Sequence, residues 1–229
     1  MRFNENSRLG DVISEHYQLL LILSRFGITL GFGDKTVRAV CADSHVDSKT
    51  FLAVANYVVN GDGTVYHDID TESMIRFLRL SHQYYFDFLL PELRNSLKRI
   101  TDDIEDTKLA TLLIKLFDNY ASSVRRHLEY EDRILFDYTE NLLGGNIDDT
   151  NLSVSSIIGQ HDSIDGNLSE LKNVMIRYLP APHGMVRRVN QVLYDIFAFE
   201  EDIKMHSDIE SNLFIPLVID LENKVRKAK

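Results

Sequence analysis

The sequence has little of several features that mark particular protein classes. Cys41 is the only cysteine in 229 residues, which excludes an internal disulfide, a thiolate-ligated cluster and a cysteine-based zinc ribbon. No basic stripe interleaved with aromatic residues is present, and 25 Lys and Arg against 35 Asp and Glu give a formal charge of −10. This balance disfavours a nucleic-acid partner.

Long apolar runs are missing as well. The longest one near the N-terminus, Leu19 to Leu23, is far shorter than the roughly 20 residues that a membrane-spanning helix needs. The first residues also lack the basic-then-apolar pattern of a signal peptide. Together with the single cysteine, these features predict a cytoplasmic protein with no membrane partner.

The front of the chain has the pattern of short helices. Helical spacing covers Leu9 to Ser24, and the glycine-rich stretch 26–34 interrupts it. Short helices are predicted at Thr36 to Cys41 and at Ser48 to Val59. The turn-forming residues 60–64, Asn-Gly-Asp-Gly-Thr, mark the expected domain boundary.

Four long helical segments follow this turn. They are predicted over about 71–100, 105–143, 151–178 and 185–224, and no segment alternates with period two as a strand would. Long helices with short polar connections are typical of an up-down bundle. The sequence therefore predicts an all-α fold, with a small helical domain over residues 1–63 and a four-helix bundle over residues 70–223.

Four of the 8 His occupy equivalent positions, each in the middle of the apolar stripe of one long helix. Positions three, four and seven apart share a helix face, so each of these histidines should point inward. One buried histidine is usually a hydrogen-bonded core residue, but one on every helix favours a common site. The four stripes are Ile75, Leu78, His82, Tyr85 and Leu89; Leu113, Phe117, Tyr120, Val124, His127, Glu131, Ile134 and Tyr138; Val154, Ile157, His161, Ile164, Leu168 and Met175; and Phe199, Ile203, His206, Glu210, Leu213 and Leu217.

Two of the helices carry a glutamate one turn after the histidine, at His127/Glu131 and at His206/Glu210. In both copies three apolar residues occupy the third to fifth positions after the glutamate, so the two segments are an internal repeat. A buried carboxylate without a partner is costly, and a metal cation is the usual compensation.

The donor atoms indicate which metal is bound. Four imidazoles and two carboxylates are too many for one tetrahedral zinc and enough for two five- or six-coordinate ions. Calcium and magnesium prefer all-oxygen ligands, so iron fits best and manganese second. The sequence predicts a dinuclear site with the ligands His82, His127, Glu131, His161, His206 and Glu210.

These residues resemble hemerythrin-like (HHE cation-binding) domains. The resemblance lies in residues 126–136, 160–162 and 206–216, and in Ser81-His82 followed by Leu90-Pro91. It implies two non-haem iron ions with carboxylate or oxo bridges. Within the family the chain is most similar to the di-iron proteins that repair iron–sulfur clusters after oxidative or nitrosative damage, which use the same set of four His and two Glu.

The front segment is similar to the small N-terminal domain of these repair proteins. The similar residues are Leu9 to Val12 and Phe26-Gly27-Ile28. Where that domain has a Cys-Cys pair followed by glycines, this chain has Thr29-Leu30-Gly31-Phe32-Gly33, so the N-terminal domain is a divergent one.

The resemblance implies a stress-response role in iron–sulfur cluster repair, with damaged iron–sulfur proteins as partners and dioxygen or nitric oxide as small ligands. The alternative is a hemerythrin-like protein that binds or senses these gases without turnover. A redox enzyme that handles nitric oxide or peroxide and a metal-free interaction module are further hypotheses. The sequence assigns no catalytic residue and leaves enzymatic activity and a homodimer open.

Three further residues have weaker interpretations. Asp165 and Asp202 lie one turn from His161 and His206, where each could accept a hydrogen bond from an imidazole, but we expect ordinary acidic residues there. Cys41 is expected to be a small buried apolar residue.

Overall fold

The computed structural model describes residues 3–61, 69–146, 153–159, 167–180 and 184–228. Every named element in these ranges is helical, and one isolated bridge between Arg8 and Thr36 is their only β pairing. The predicted all-α fold with a helical front part is confirmed. No helix in the described ranges is long and apolar enough to cross a membrane.

The front part contains four helices. The sequence predicts helix from residue 9 to 24, but the chain leaves the helical conformation at His16, with φ −135° and ψ 71°. The buried residues Leu9, Val12 and Leu19 follow each other at steps of three and seven, so their spacing cannot reveal the break. The helices are α1 (Leu9–Glu15), α2 (Leu19–Arg25), α3 (Val37–Asp43) and α4 (Ser48–Asn60).

Side-chain caps determine where α3 and α4 begin. Thr36 Oγ1 accepts a hydrogen bond from the Ala39 amide at 3.4 Å, and Asp47 Oδ1 accepts one from the Thr50 amide at 2.7 Å. Gly61 ends α4 with φ 66°, a left-handed conformation that favours glycine. Residues 62–68 lie outside the described ranges, and the domain boundary at 60–64 stays a prediction.

The long helical segments agree with the predicted ones to within a few residues at the described ends. Three of them contain one π-helical turn, which the sequence did not predict. The third segment is described as two helices, since residues 160–166 lie outside the described ranges. The elements are α5 (Thr71–Tyr84), π1 (Tyr85–Leu89), α6 (Leu90–Thr101), α7 (Thr107–Tyr130), π2 (Glu131–Phe136), α8 (Asp137–Leu143), α9 (Val154–Gly159), α10 (Asn167–Tyr178), α11 (Val186–Ile209), π3 (Glu210–Phe214) and α12 (Ile215–Ala228).

The second long segment has well-defined ends. Asp106 Oδ1 accepts hydrogen bonds from the Lys108 and Leu109 amides at 3.0 and 3.1 Å, which caps α7. At the other end Gly145 has φ 73°, and the Asn146 amide donates to the Asn141 carbonyl at 2.9 Å. The predicted helix stop at residues 144–146 is confirmed, because glycine reaches the left-handed conformation that closes the helix.

The chain divides into two compact units. The first comprises residues 1–81, 135–157 and 205–229, and the second comprises residues 82–134 and 158–204. In the first unit α4 packs against α2 and α3, and α12 packs against α8. Ring contacts link Phe26 to Phe77 at 4.5 Å and Phe136 to Phe214 at 5.5 Å between centroids.

The second unit is built around α7, which packs against α6 and α10. Apolar side chains from these helices, from α11 and from the start of π1 form one buried cluster. Burial of such a cluster is the main favourable term in folding, so it holds the C-terminal turn of α7 in place. Among its members are Tyr85, Leu93, Leu97, Leu113, Phe117, Tyr120, Val124, Leu128, Leu171, Ile196 and Phe199.

The π turns change which residues face the core. After Glu131 the helical spacing predicts a buried Ile134, but Ile134 is 37% exposed, whereas Leu135 and Phe136 are 1% and 0% exposed. A π turn contains one residue more than an α turn, so the buried face continues one position later. The prediction for Ile134 is therefore wrong.

The other two π turns have the same effect. Leu90 is buried after π1 while Leu89 is only partly buried, and Val218 is buried after π3 while Leu217 is only partly buried. Each stripe continues one residue later than a regular helix would place it.

We predict that alanine substitutions distinguish this register. Leu135→Ala should lower the free energy of unfolding by about 2–5 kcal/mol, because it empties a buried site, whereas Ile134→Ala should cost less than about 1 kcal/mol. Urea unfolding of the two variants and the wild type would measure the difference. A larger loss for Ile134→Ala would show that π2 is wrongly assigned.

Cys41 is buried in the first unit, with 1% of its surface exposed. Burial, aided by the negative charges of Asp47 and Glu5, raises the pKa of the thiol from 9.0 to about 12. The expectation of a small buried apolar residue is confirmed.

Native Cys41 should therefore resist alkylation. Only the thiolate reacts, and a pKa of about 12 instead of 9.0 lowers the thiolate fraction at pH 8 by about a thousandfold. Iodoacetamide at pH 8, followed by mass spectrometry, should label the urea-unfolded chain quickly and the native chain slowly. Equal labelling rates would contradict the buried position.

Candidate metal centre

Three predicted ligands come together within the second unit. His82 lies in the last turn of α5, His127 lies in the last turn of α7, and Glu131 begins π2. All three are buried, with exposures of 1%, 8% and 0% respectively. The helical spacing predicted this inward orientation correctly.

The two oxygens of Glu131 each face a different imidazole. Oε1 lies 2.9 Å from His127 Nε2, and Oε2 lies 3.2 Å from His82 Nε2. Two ligands at right angles on one ion, each about 2.1 Å from it, would be about 3 Å apart. The distances from Glu131 to His127 and to His82 match this value. Each imidazole and the Glu131 oxygen that faces it could therefore bind the same metal ion.

His82 also contacts a carboxylate on its other side. Its Nδ1 lies 3.0 Å from Asp132 Oδ1. Burial acts to lower the pKa of His82, but the hydrogen bonds and charges of Asp132 and Glu131 outweigh it and raise the pKa. A neutral imidazole donates from only one nitrogen. When Nδ1–H donates to Asp132, the Nε2 atom that faces Glu131 carries a second proton if the ring is charged. If the ring is neutral, Nε2 carries a lone pair that can bind a metal.

Asp132 is not among the residues predicted from the sequence. The predicted candidates were acids one turn from a histidine on the same helix, whereas Asp132 belongs to π2 and contacts a histidine of α5. Nothing in the helical spacing of either segment indicates that contact. It depends on how the residues around His82 and Asp132 pack within the second unit.

The other predicted Glu-bearing pair lies in the first unit. His206, in the last turn of α11, is 1% exposed, and Glu210, the first residue of π3, is 5% exposed. They are one turn apart on one helix face. Both are candidate metal donors, as are His82, His127 and Glu131.

The remaining residues singled out in the sequence are one histidine, two aspartates and three tyrosines. His161 and Asp165 lie outside the described residues, so their assignments stay predictions. The backbone carbonyl of Asp202 accepts a hydrogen bond from the Tyr85 hydroxyl at 3.3 Å. Tyr85, Tyr120 and Tyr138 are buried, which confirms their expected packing in the interior.

In the described ranges, all three π turns lie at or shortly after a predicted ligand. π2 begins at Glu131 and π3 at Glu210, while π1 begins three residues after His82. Single π turns are rare and are often found at functional sites. Here the extra residue allows both the glutamate and the bulky apolar residues that follow it to face the interior.

One comparison with known proteins assigns the chain to a family. The family described as Hemerythrin HHE cation binding domain matches residues 73–218, and the chain belongs to that family. The matched range contains the six predicted ligands His82, His127, Glu131, His161, His206 and Glu210. Members of this family bind metal cations. No curated protein and no solved structure matches the chain.

We predict that Glu131→Gln severely weakens cation binding. The amide keeps the size of the side chain but loses the negative charge and one of the two oxygens that face the imidazoles. Cobalt(II) bound per chain after dialysis, measured by plasma mass spectrometry, would test this. Glu129→Gln is the control, since this partly exposed residue lies on the same helix, and equal losses in both variants would contradict the assignment.

Proposed function

We propose that this chain is a non-haem di-iron protein whose ions are bound by His82, His127, Glu131, His161, His206 and Glu210. The observation that carries the proposal is the position of Glu131, whose Oε1 and Oε2 lie 2.9 and 3.2 Å from different imidazoles. A carboxylate that shares one oxygen with each of two metal sites is suited to bridge two ions.

The internal repeat supports a second bridging carboxylate. Glu210 begins a π turn one helical turn after a buried histidine, as Glu131 does. Each glutamate is followed by buried apolar residues within its π turn. We infer that Glu210 has the same role toward the same pair of ions.

Iron fits these donors best. Mixed imidazole and carboxylate ligands suit iron and also manganese, while an all-oxygen site would favour magnesium or calcium. A pair of iron ions supplies one-electron redox chemistry and open positions for dioxygen or nitric oxide. The protein supplies the buried donors and, through the apolar cluster around α7, an interior from which bulk water is excluded.

Iron–sulfur cluster repair under oxidative or nitrosative stress is the role we propose for this centre. Its support is the combination of an HHE domain at residues 73–218 with the helices α1 to α4 in front of it, an organisation similar to that of the repair proteins. Damaged iron–sulfur proteins would be the partners, in the cytoplasm, with dioxygen or nitric oxide as small ligands.

Anaerobically purified protein should contain two iron ions per chain. If Glu131 and Glu210 bridge the same pair, Glu210→Gln should lower the content of both ions, as should Glu131→Gln, because each bridge contributes to both positions. Iron analysis with Mössbauer spectroscopy would count and classify the ions. Glu201→Gln, an exposed residue of α11, is the matched control.

Two results would contradict the shared pair. Loss of only one ion from each glutamate variant would indicate two separate sites. Wild-type protein without bound iron would overturn the di-iron proposal.

A deletion strain should recover iron–sulfur enzyme activity slowly after nitric oxide exposure. Aconitase activity over time would measure recovery, and wild-type protein, but not Glu131→Gln, should restore the normal rate. Normal recovery without the protein would contradict the repair role. A stable, reversible oxygen adduct of the reduced protein would favour the gas-binding alternative instead.

A further inference from the structure

We propose that Asp132 is a positioning residue that orients His82 for one of the two metal ions. The inference rests on the proposed di-iron site and extends it to a residue outside the ligand set. Its basis is the 3.0 Å hydrogen bond between His82 Nδ1 and Asp132 Oδ1, on the ring side opposite Glu131.

Two consecutive carboxylates hold the two nitrogens of one imidazole. Glu131 faces Nε2 and Asp132 faces Nδ1. When Nδ1–H donates to Asp132, the neutral ring has its lone pair on Nε2, the nitrogen that faces the bridging carboxylate. Asp132 thereby selects the tautomer that can bind a metal and fixes the rotation of the ring.

Exposure separates the roles of the two carboxylates. The Glu131 side chain is 0% exposed, while the Asp132 side chain is 33% exposed. Asp132 therefore keeps contact with solvent and accepts the hydrogen bond from the outer side of the ring. A carboxylate in this position also makes the imidazole more basic and hence a stronger ligand.

The effect should be limited to one ion. The repeated segment on the last helix has Glu210 followed by Ser211, an exposed residue, where the second helix has Glu131 followed by Asp132. The serine carries no charge, so the negative charge beside the glutamate is not repeated. Only the ion that His82 binds should depend on Asp132.

Anaerobic cobalt(II) titration against a competing chelator tests this in the full-length protein. Asp132→Ala should weaken one of the two binding events by about 10–100-fold, which is typical for loss of such a partner, and leave the other unchanged. Asp132→Asn, which keeps an acceptor oxygen without the charge, should show a smaller loss. Asp137→Ala is the control, since Asp137 is exposed and its partner Arg79 keeps a second contact with Glu140.

Two spectroscopic readouts and the melting temperature separate positioning from a general structural effect. The visible absorption bands of the cobalt ion should change in Asp132→Ala, and the exchange-protected Nδ1–H signal of His82 in proton NMR spectra should disappear. The melting temperature of the metal-free protein should stay near that of the Asp137→Ala control.

Three results would overturn the inference. Unchanged affinity for both ions in Asp132→Ala, with two ions bound to the wild type, would reject the role of Asp132 and leave the di-iron proposal intact. Equal weakening of both ions would reject the restriction to His82. Wild-type protein that binds no cobalt and no iron would overturn both the inference and the proposed function.

Discussion

The structure around the site depends on one constraint, the burial of the Glu131 carboxylate. The residue is 0% exposed, and a buried ionised group costs several kcal/mol unless opposite charge and hydrogen-bond donors compensate it. His82 and His127 lie against its two oxygens. Under the proposed function, a cation between carboxylate and imidazole would offset this cost.

The rest of the second unit supports this arrangement. Apolar side chains of α6, α7, α10 and α11 form one cluster, and its burial fixes the last turn of α7, which contains His127. The π turn that starts at Glu131 then adds one residue, so Leu135 and Phe136 face inward after the glutamate. The first unit repeats this pattern at Glu210 and Phe214. The internal repeat is thus a repeat of backbone geometry as well as of sequence.

Family membership and local chemistry support different levels of the functional conclusion. The match to the HHE family establishes a cation-binding domain. Mixed imidazole and carboxylate donors favour iron, and the two-sided position of Glu131 favours a bridged pair of ions. The contact between Asp132 and His82 adds a residue outside the proposed ligand set to this conclusion. In the proposed site it determines which nitrogen of the ring is available to the metal.

The sequence by itself determined the long helical segments to within a few residues, because helical periodicity and glycine or cap chemistry are local properties. It also determined the inward direction of His82, His127, Glu131, His206 and Glu210. It failed where the outcome depended on contacts between segments. The break at His16 is not encoded in the spacing of the apolar residues. The exposure of Ile134 is not encoded there either, since a π turn is stable only where the surrounding packing selects it. Asp132 was missed for the same reason: its partner lies 50 residues away in the chain, and only the tertiary packing within the second unit brings the carboxylate to the imidazole.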